Sequence, residues 1–180
     1  MSNNEVILVD EQDRMLGTME KMEAHRLGVL HRAFSVFIFN KEGEMLLQQR
    51  ALDKYHNGGL WTNACCSHPR PGEENMEAAV RRLNEEMGFT TPLQKVFNFT
   101  YKAIFDNGLT EHEFDHVFKG IYNGIVKPNK NEVHAFSFQK LSDIQHQIEF
   151  SPETFTIWFR IAFAKFESLL EGNVISQAIL

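Results

Sequence analysis

The order of elements in this 180-residue chain predicts an α+β fold. Strands come first, then one central helix, more strands and a terminal helix. Three observations carry this. The run 34-FSVFIFN-40 is dense in aromatic and β-branched residues, as strands are. In 75-NMEAAVRRLNEEMG-88, Met76, Ala79, Val80, Leu83 and Met87 recur at helical spacing. The tail, near 152–169, reads as a second, longer helix.

Residues 5–9 (EVILV) read as a short strand and 10–14 (DEQDR) as its turn. The stretch 20-EKMEAHRLGVLH-31 is polar and irregular, and Gly28 breaks any helix there. The strand at 34–40, the turn 41-KEGE-44 and a strand at 45–50 predict a hairpin. A loop follows at 51–59, and a short strand at 60–64 leads into two cysteines. Asn75 is the expected N-cap of the central helix and Gly88 its stop. Strands are expected at 96–105, 113–122 and 134–139, with a short helix around 141–147.

Composition narrows the function. The length suits one domain spanning 1–180. Sixteen Phe predict an aromatic core or pocket. A net charge of -6 without a dense Lys/Arg run argues against nucleic acid and anionic membrane as partners. No secretory pattern opens the chain and no apolar run reaches spanning length, so the expected address is the cytoplasm. Cys65 and Cys66 are the two cysteines. A bond between neighbours would close a small strained ring, so both are expected as thiols.

The polar face of the central helix holds Arg81, Arg82, Glu85 and Glu86, and Glu73 lies in the loop before it. Helix physics alone favours a solvated face of i,i+4 ion pairs. The other reading is a carboxylate device for a hard cation that in turn holds a diphosphate.

This spacing resembles the Nudix box, G-x5-E-x7-R-E-U-x-E-E-x-G-U with U aliphatic. Ser67, Glu73, Arg81, Arg82, Leu83, Glu85, Glu86, Gly88 and Phe89 stand at its positions. Ser67 replaces the first glycine and Arg82 the first helix glutamate, which departs from a standard Nudix hydrolase. The segments 18-TMEKMEAH-25, 31-HRAFS-35, 50-RALDK-54, 61-WTNACCSHP-69, 81-RRLNEEMG-88, 111-EHE-113 and 150-FSPETFTIW-158 resemble, in order, the type I isopentenyl-diphosphate isomerases.

The resemblance implies a Nudix-like α/β/α sandwich with a mixed β-sheet. It implies movement of a double bond between isopentenyl and dimethylallyl diphosphate through a tertiary carbocation, in isoprenoid synthesis. It marks His25, His31, His68, Glu111 and Glu113 as ligands of one divalent ion. Imidazole plus carboxylate suits Mn²⁺ or Zn²⁺, and also Fe²⁺. Glu86 is implied for Mg²⁺, aided by backbone near Cys66 and by the diphosphate, while Lys21, Arg50, Lys54 and Arg82 are implied to face the diphosphate. Cys66 aligns with the catalytic cysteine, Glu113 assisted by Tyr101 falls to the opposite face, and Trp158 aligns with an aromatic facing the cation. Which group gives the proton and which removes it stays open.

Cys65 points opposite to Cys66 in an extended strand and reads as a packing residue. His56, His112, His116, His134 and His146 read as surface or core histidines. Two other functions stand beside the isomerase: a Nudix diphosphohydrolase and a non-catalytic metal-binding domain. A small-molecule diphosphate partner is expected, and either a monomer or a homodimer fits.

Overall fold

The computed structural model describes residues 4–54 and 57–178. His56 lies outside them. β3 (His31–Phe39) is the spine of a mixed sheet. It runs parallel to β8 (Thr110–Ile121), from His31 opposite Glu113 to Phe39 opposite Ile121. On its other edge it pairs antiparallel with β6 (Cys65–Ser67), which sets Ser35 opposite Cys66. β7 (Leu93–Ile104) forms a long hairpin with β8, and β1 (Glu5–Val9) pairs with β2 (Met15–Glu20). β4 (Met45–Arg50) lies between β5 (Trp61–Asn63) and β9 (Val133–Gln139).

Both faces of the sheet are covered, which explains the nearly continuous apolar run in β3. Phe34, Val36 and Ile38 face the helix α2 (Asn75–Met87), together with Leu46, Leu83 and Met87. Phe37, Met45 and Leu47 face the opposite way, against Phe159, Phe163 and Phe166 of α4 (Ile157–Ala178) and Ile144 of α3 (Leu141–Phe150). This is the expected sandwich with an aromatic core. No helix of the described residues is long and apolar enough to cross a membrane.

Several expectations are corrected. Residues 20–31 contain a true helix, α1 (Lys21–Leu27). The Glu20 carboxylate accepts from the Glu23 amide at 2.9 Å, and Gly28, at φ 62°, closes the helix in the left-handed region. The strand β2 ahead of it was not foreseen. β3 and β4 do not form a full hairpin: they meet only at Phe39 and Met45 before diverging. The hydrophobic pattern of each strand is satisfied by other partners, β8 and β9. Glu74, not Asn75, is the N-cap of α2. β8 begins at Thr110, three residues before its expected start, which brings Glu111 into the strand. The tail opens with a 3-10 turn at Pro152–Thr154 before α4 begins.

Candidate active site

Three histidines from separate elements meet at the end of β3. His25 comes from the last turn of α1, His31 opens β3, and His68 follows β6. Their ring centroids are 4.9, 5.0 and 5.8 Å apart. Glu113, opposite His31 in the parallel register, completes the group: ligand atoms from the four residues all lie within 4.8 Å of one another.

The tautomers follow from backbone contacts. His25 Nδ1 lies 2.6 Å from the Lys21 carbonyl and His31 Nδ1 lies 2.8 Å from the Val29 carbonyl. A carbonyl only accepts, so each Nδ1 carries the proton and each Nε2 keeps its lone pair for the cluster. The buried His31 Nε2 has no hydrogen-bond partner among the described residues and stands 3.6 Å from Glu113 Oε1. Burial holds His25 below the usual imidazole range and pushes His68 down to about 3, so these two rings are neutral, the form that binds metal. Neutral imidazoles around a carboxylate fit a divalent metal ion.

Glu111 stands beside this group and is tied to Tyr101. The Tyr101 hydroxyl is 2.6 Å from Glu111 Oε2 and 2.7 Å from Glu113 Oε2. One hydroxyl proton cannot serve both anions, so a second proton is held in this triad. Burial and the Glu113 charge push Glu111 up to about 8, which makes it the holder. Burial would also raise Glu113, but the neighbouring His31 and His68 rings outweigh it and keep Glu113 well below the usual range. His68 Nε2 is 2.8 Å from Glu113 Oε1.

The two thiols separate as the strand alternation predicts. Cys65 is buried in the α2-side core, whereas Cys66 turns to the other side and lines a cavity of about 50 Å³ with His25, His68, Glu111, Glu113 and Trp158. Around the Cys66 sulfur lies a hydrogen-bond cage that sequence reasoning missed. The thiol donates to Asn63 Oδ1 at 2.9 Å, and Trp158 Nε1–H points at the sulfur from 3.1 Å. Thr62 Oγ1 is 3.6 Å away and Ser35 Oγ 3.9 Å. Asn63 is fixed in turn: its amide donates to the Cys65 carbonyl at 2.7 Å and to the Val36 carbonyl at 3.2 Å. Burial pushes the Cys66 thiol up to about 12, with Thr62 and Trp158 opposing and Asp115 and Glu86 adding, so the group is a thiol at neutral pH.

Asp115 was also missed, although it shares the parity of Glu111 and Glu113 on β8. It is buried and accepts from Ser35 Oγ at 2.8 Å. Burial, then the Glu113 charge, raises it to about 8. The Trp158 indole receives the Arg50 guanidinium over its face, 5.3 Å from the centroid.

A second, cationic cavity of about 240 Å³ adjoins the first through Lys21, Ser67 and His68. Lys54 and Arg82 line it and Glu86 backs it. Arg82 Nη2 donates to Glu86 Oε1 at 2.6 Å, and Gln48 Nε2 donates to Glu86 Oε2 at 2.8 Å. Lys54 pairs with Glu132. Thus the expected residues fall into two neighbouring groups: His25, His31, His68, Glu111, Glu113, Tyr101, Cys66 and Trp158 around the thiol, and Lys21, Lys54, Arg82 and Glu86 around the cations. Arg50 lines the thiol's cavity rather than the cationic one. His112 and His116 face away. His112 Nδ1 meets the Gly28 carbonyl at 3.0 Å, and His116 Nε2 lies 3.0 Å from Asp13 Oδ2.

Residues 29–159 match the family model described as NUDIX domain. An isopentenyl-diphosphate Delta-isomerase of Pectobacterium atrosepticum is 50% identical over 165 residues, covering 92% of each chain. One of Burkholderia multivorans is 50% identical over 154 residues, covering 86% of this chain and 88% of the relative. Among solved structures, the MutT protein of Methanosarcina mazei Go1 superposes with a TM-score of 0.65 at 23% identity, covering 77% of this chain and 94% of its own. DR0079 of Deinococcus radiodurans gives 0.69 at 16% identity, covering 82% and 90%. These two share the fold. The box, the sandwich and the extent of these matches agree: the chain belongs to the NUDIX domain family and, within it, to the isopentenyl-diphosphate Delta-isomerases.

Proposed function

We infer that this protein interconverts isopentenyl and dimethylallyl diphosphate; its relatives are named isopentenyl-diphosphate Delta-isomerases. One observation carries the reading in the structure: a thiol and a carboxylate line one small cavity, and a cationic pocket adjoins it. The first brings the two proton-transfer groups together and the second suits a diphosphate.

The reaction adds a proton at the terminal alkene carbon, which leaves a tertiary cation at C3, and removes a proton from C2. Cys66 and Glu113 are the two proton-transfer groups. Cys66 is protonated at rest and Glu113 ionised, so each begins in the state its opposite duty requires. Tyr101 and Glu111 hold a proton within reach of Glu113. The buried walls, Trp158 among them, keep water from a cation it would capture. Lys21, Lys54 and Arg82 bind the diphosphate, and Arg50 adds its charge from the thiol's cavity.

His25, His31, His68 and Glu113, with Glu111 beside them, would hold Mn²⁺ or Zn²⁺, and Glu86 would hold Mg²⁺ with the substrate. Such ions supply positive charge that lowers the proton affinity of a bound carboxylate and neutralises phosphate.

The Nudix diphosphohydrolase reading is disfavoured by the box itself. Glu73 is clamped by Arg81 at 2.7 and 2.8 Å, and Glu85 and Glu86 by Arg82 at 2.8 and 2.6 Å. Arg82 also stands where the box has its first helix glutamate, so the cluster of helix carboxylates that would activate a water is incomplete. The test is to incubate the protein with isopentenyl diphosphate and Mg²⁺ and follow dimethylallyl diphosphate and released phosphate, with Cys66→Ala alongside. Dimethylallyl diphosphate without phosphate, lost in the variant, is expected. Phosphate release, or indifference to Cys66, would overturn the reading.

A further inference from the structure

We propose that Arg70 is a further cation for the substrate's diphosphate, carried on a rigid turn at the edge of the cationic pocket. This rests on the isomerase reading of that pocket.

The turn is built from both ends. Pro71 and Gly72 are its central residues, Gly72 sits at φ 81°, and the Glu73 amide donates to the Arg70 carbonyl at 2.9 Å. That is the pattern of a type II turn, in which Pro sets the first φ and Gly supplies the positive second. The Glu73 carboxylate then reaches back to the Arg70 amide at 2.9 Å, while Arg81 of α2 grips the same carboxylate with two donors. The backbone that carries the Arg70 side chain is therefore fixed before any ligand arrives, which lowers the ordering cost of binding.

Charge accounting singles out the same residue. Among the pocket cations, Arg81 is committed to Glu73 and Glu85, Arg82 to Glu85 and Glu86, and Lys54 to Glu132. The half-buried Arg70 guanidinium lines the same cavity and has no ion pair or side-chain hydrogen bond among the described residues. A planar guanidinium with its donors uncommitted is suited to a phosphate fork. In this chain Glu73 and Arg81 of the box then act as a buttress for a substrate-binding arginine.

The experiment is calorimetric titration of inorganic pyrophosphate into the full chain, with and without Mg²⁺, for wild type, Arg70→Gln and Arg70→Lys. Arg70→Gln is expected to weaken pyrophosphate binding about tenfold, the equivalent of about 1.4 kcal/mol. Arg70→Lys should recover part of this, and the melting temperature without pyrophosphate should not move. In turnover, KM for isopentenyl diphosphate should carry the change rather than kcat, as for uniform binding energy. Equal pyrophosphate affinity in wild type and Arg70→Gln, or no pyrophosphate binding by wild type, overturns the proposal. Arg70-dependent binding without any dimethylallyl diphosphate formed would instead sink the isomerase reading and leave the anion site standing.

Discussion

Replacing Trp158 by Phe separates two ways in which this aromatic can act. The resemblance assigns its face to the carbocation, but the structure aims its N–H at the Cys66 sulfur, 3.1 Å away, and also at Thr62 Oγ1 at 3.1 Å. Phe keeps an aromatic face under Arg50 and removes the donor. Stability should fall by only about 2 kcal/mol, from one hydrogen bond and the lost pyrrole ring. The Thr62 hydroxyl remains satisfied, because it still accepts from Thr156 and donates to Asn63, both at 3.0 Å. The effect on rate should be larger. When the thiol has given up its proton the sulfur is an anion in a buried site that pushes its pKa to about 12, and few donors face it. A hydrogen bond to a charged group contributes about 1.5–3 kcal/mol, so kcat should drop about ten- to a hundredfold. If only the face mattered, the loss should be roughly fivefold or less, since Phe keeps a π-face and gives up only the margin by which indole exceeds it. The assay is the initial rate of dimethylallyl diphosphate formation at saturating substrate, with unfolding by urea as the control. A folded Trp158→Phe protein whose kcat stays within about fivefold of wild type would refute the donor role.

Three further outcomes are expected. Cys65→Ala should cost about 1–2 kcal/mol in urea unfolding, since it opens a small void in a packed core, and should leave turnover intact; native stability with lost turnover would contradict its packing role. A saturating divalent ion at about a hundred times its Kd should stabilise the fold by about 2.7 kcal/mol. That is roughly 5–10 °C in Tm for a chain of this size, reversed by a chelator and absent in His31→Ala, and a shift that survives His31→Ala would refute the assigned cluster. Burial, then the charges of Lys95 and Arg32, depress His116 to about 4 although Asp13 opposes them. Because the folded value lies below the unfolded one, this group's contribution is complete above about pH 6.5 and is lost as pH falls towards 4, by up to about 3 kcal/mol. Urea midpoints between those pH values should fall less steeply in His116→Asn than in wild type, and parallel slopes would contradict the assignment.

Much of the fold is legible because its cues are local. The α2 spacing and its Gly88 stop, the β3 run and the opposed directions of Cys65 and Cys66 need only helix and strand periodicity. Where the reading failed, a tertiary partner decided. α1 has seven residues, too few to announce itself by periodicity, and is held by the Glu20 cap and by burial of Ala24 and His25. The turn at 41–44 forms, but β3 prefers nine parallel partners in β8 to a hairpin with β4.

For the site, residue types and order along the chain point to the family, and so to Cys66, Glu113 and the three histidines. They say nothing of Asn63, Thr62, Ser35 and Asp115, common polar residues that matter only because β5 leads directly into β6, and β6 and β8 flank β3, which gathers them around one sulfur. Nor do they separate Arg70 from the other arginines of the pocket. The sequence by itself determined the element types and the chemistry in hand, since both follow from short-range pattern and side-chain identity. Which lone pairs converge, which carboxylates are already paired and where a thiol sends its proton were decided by the tertiary structure, because hydrogen bonds and charge interactions act over a few ångströms and the residues concerned lie tens of positions apart.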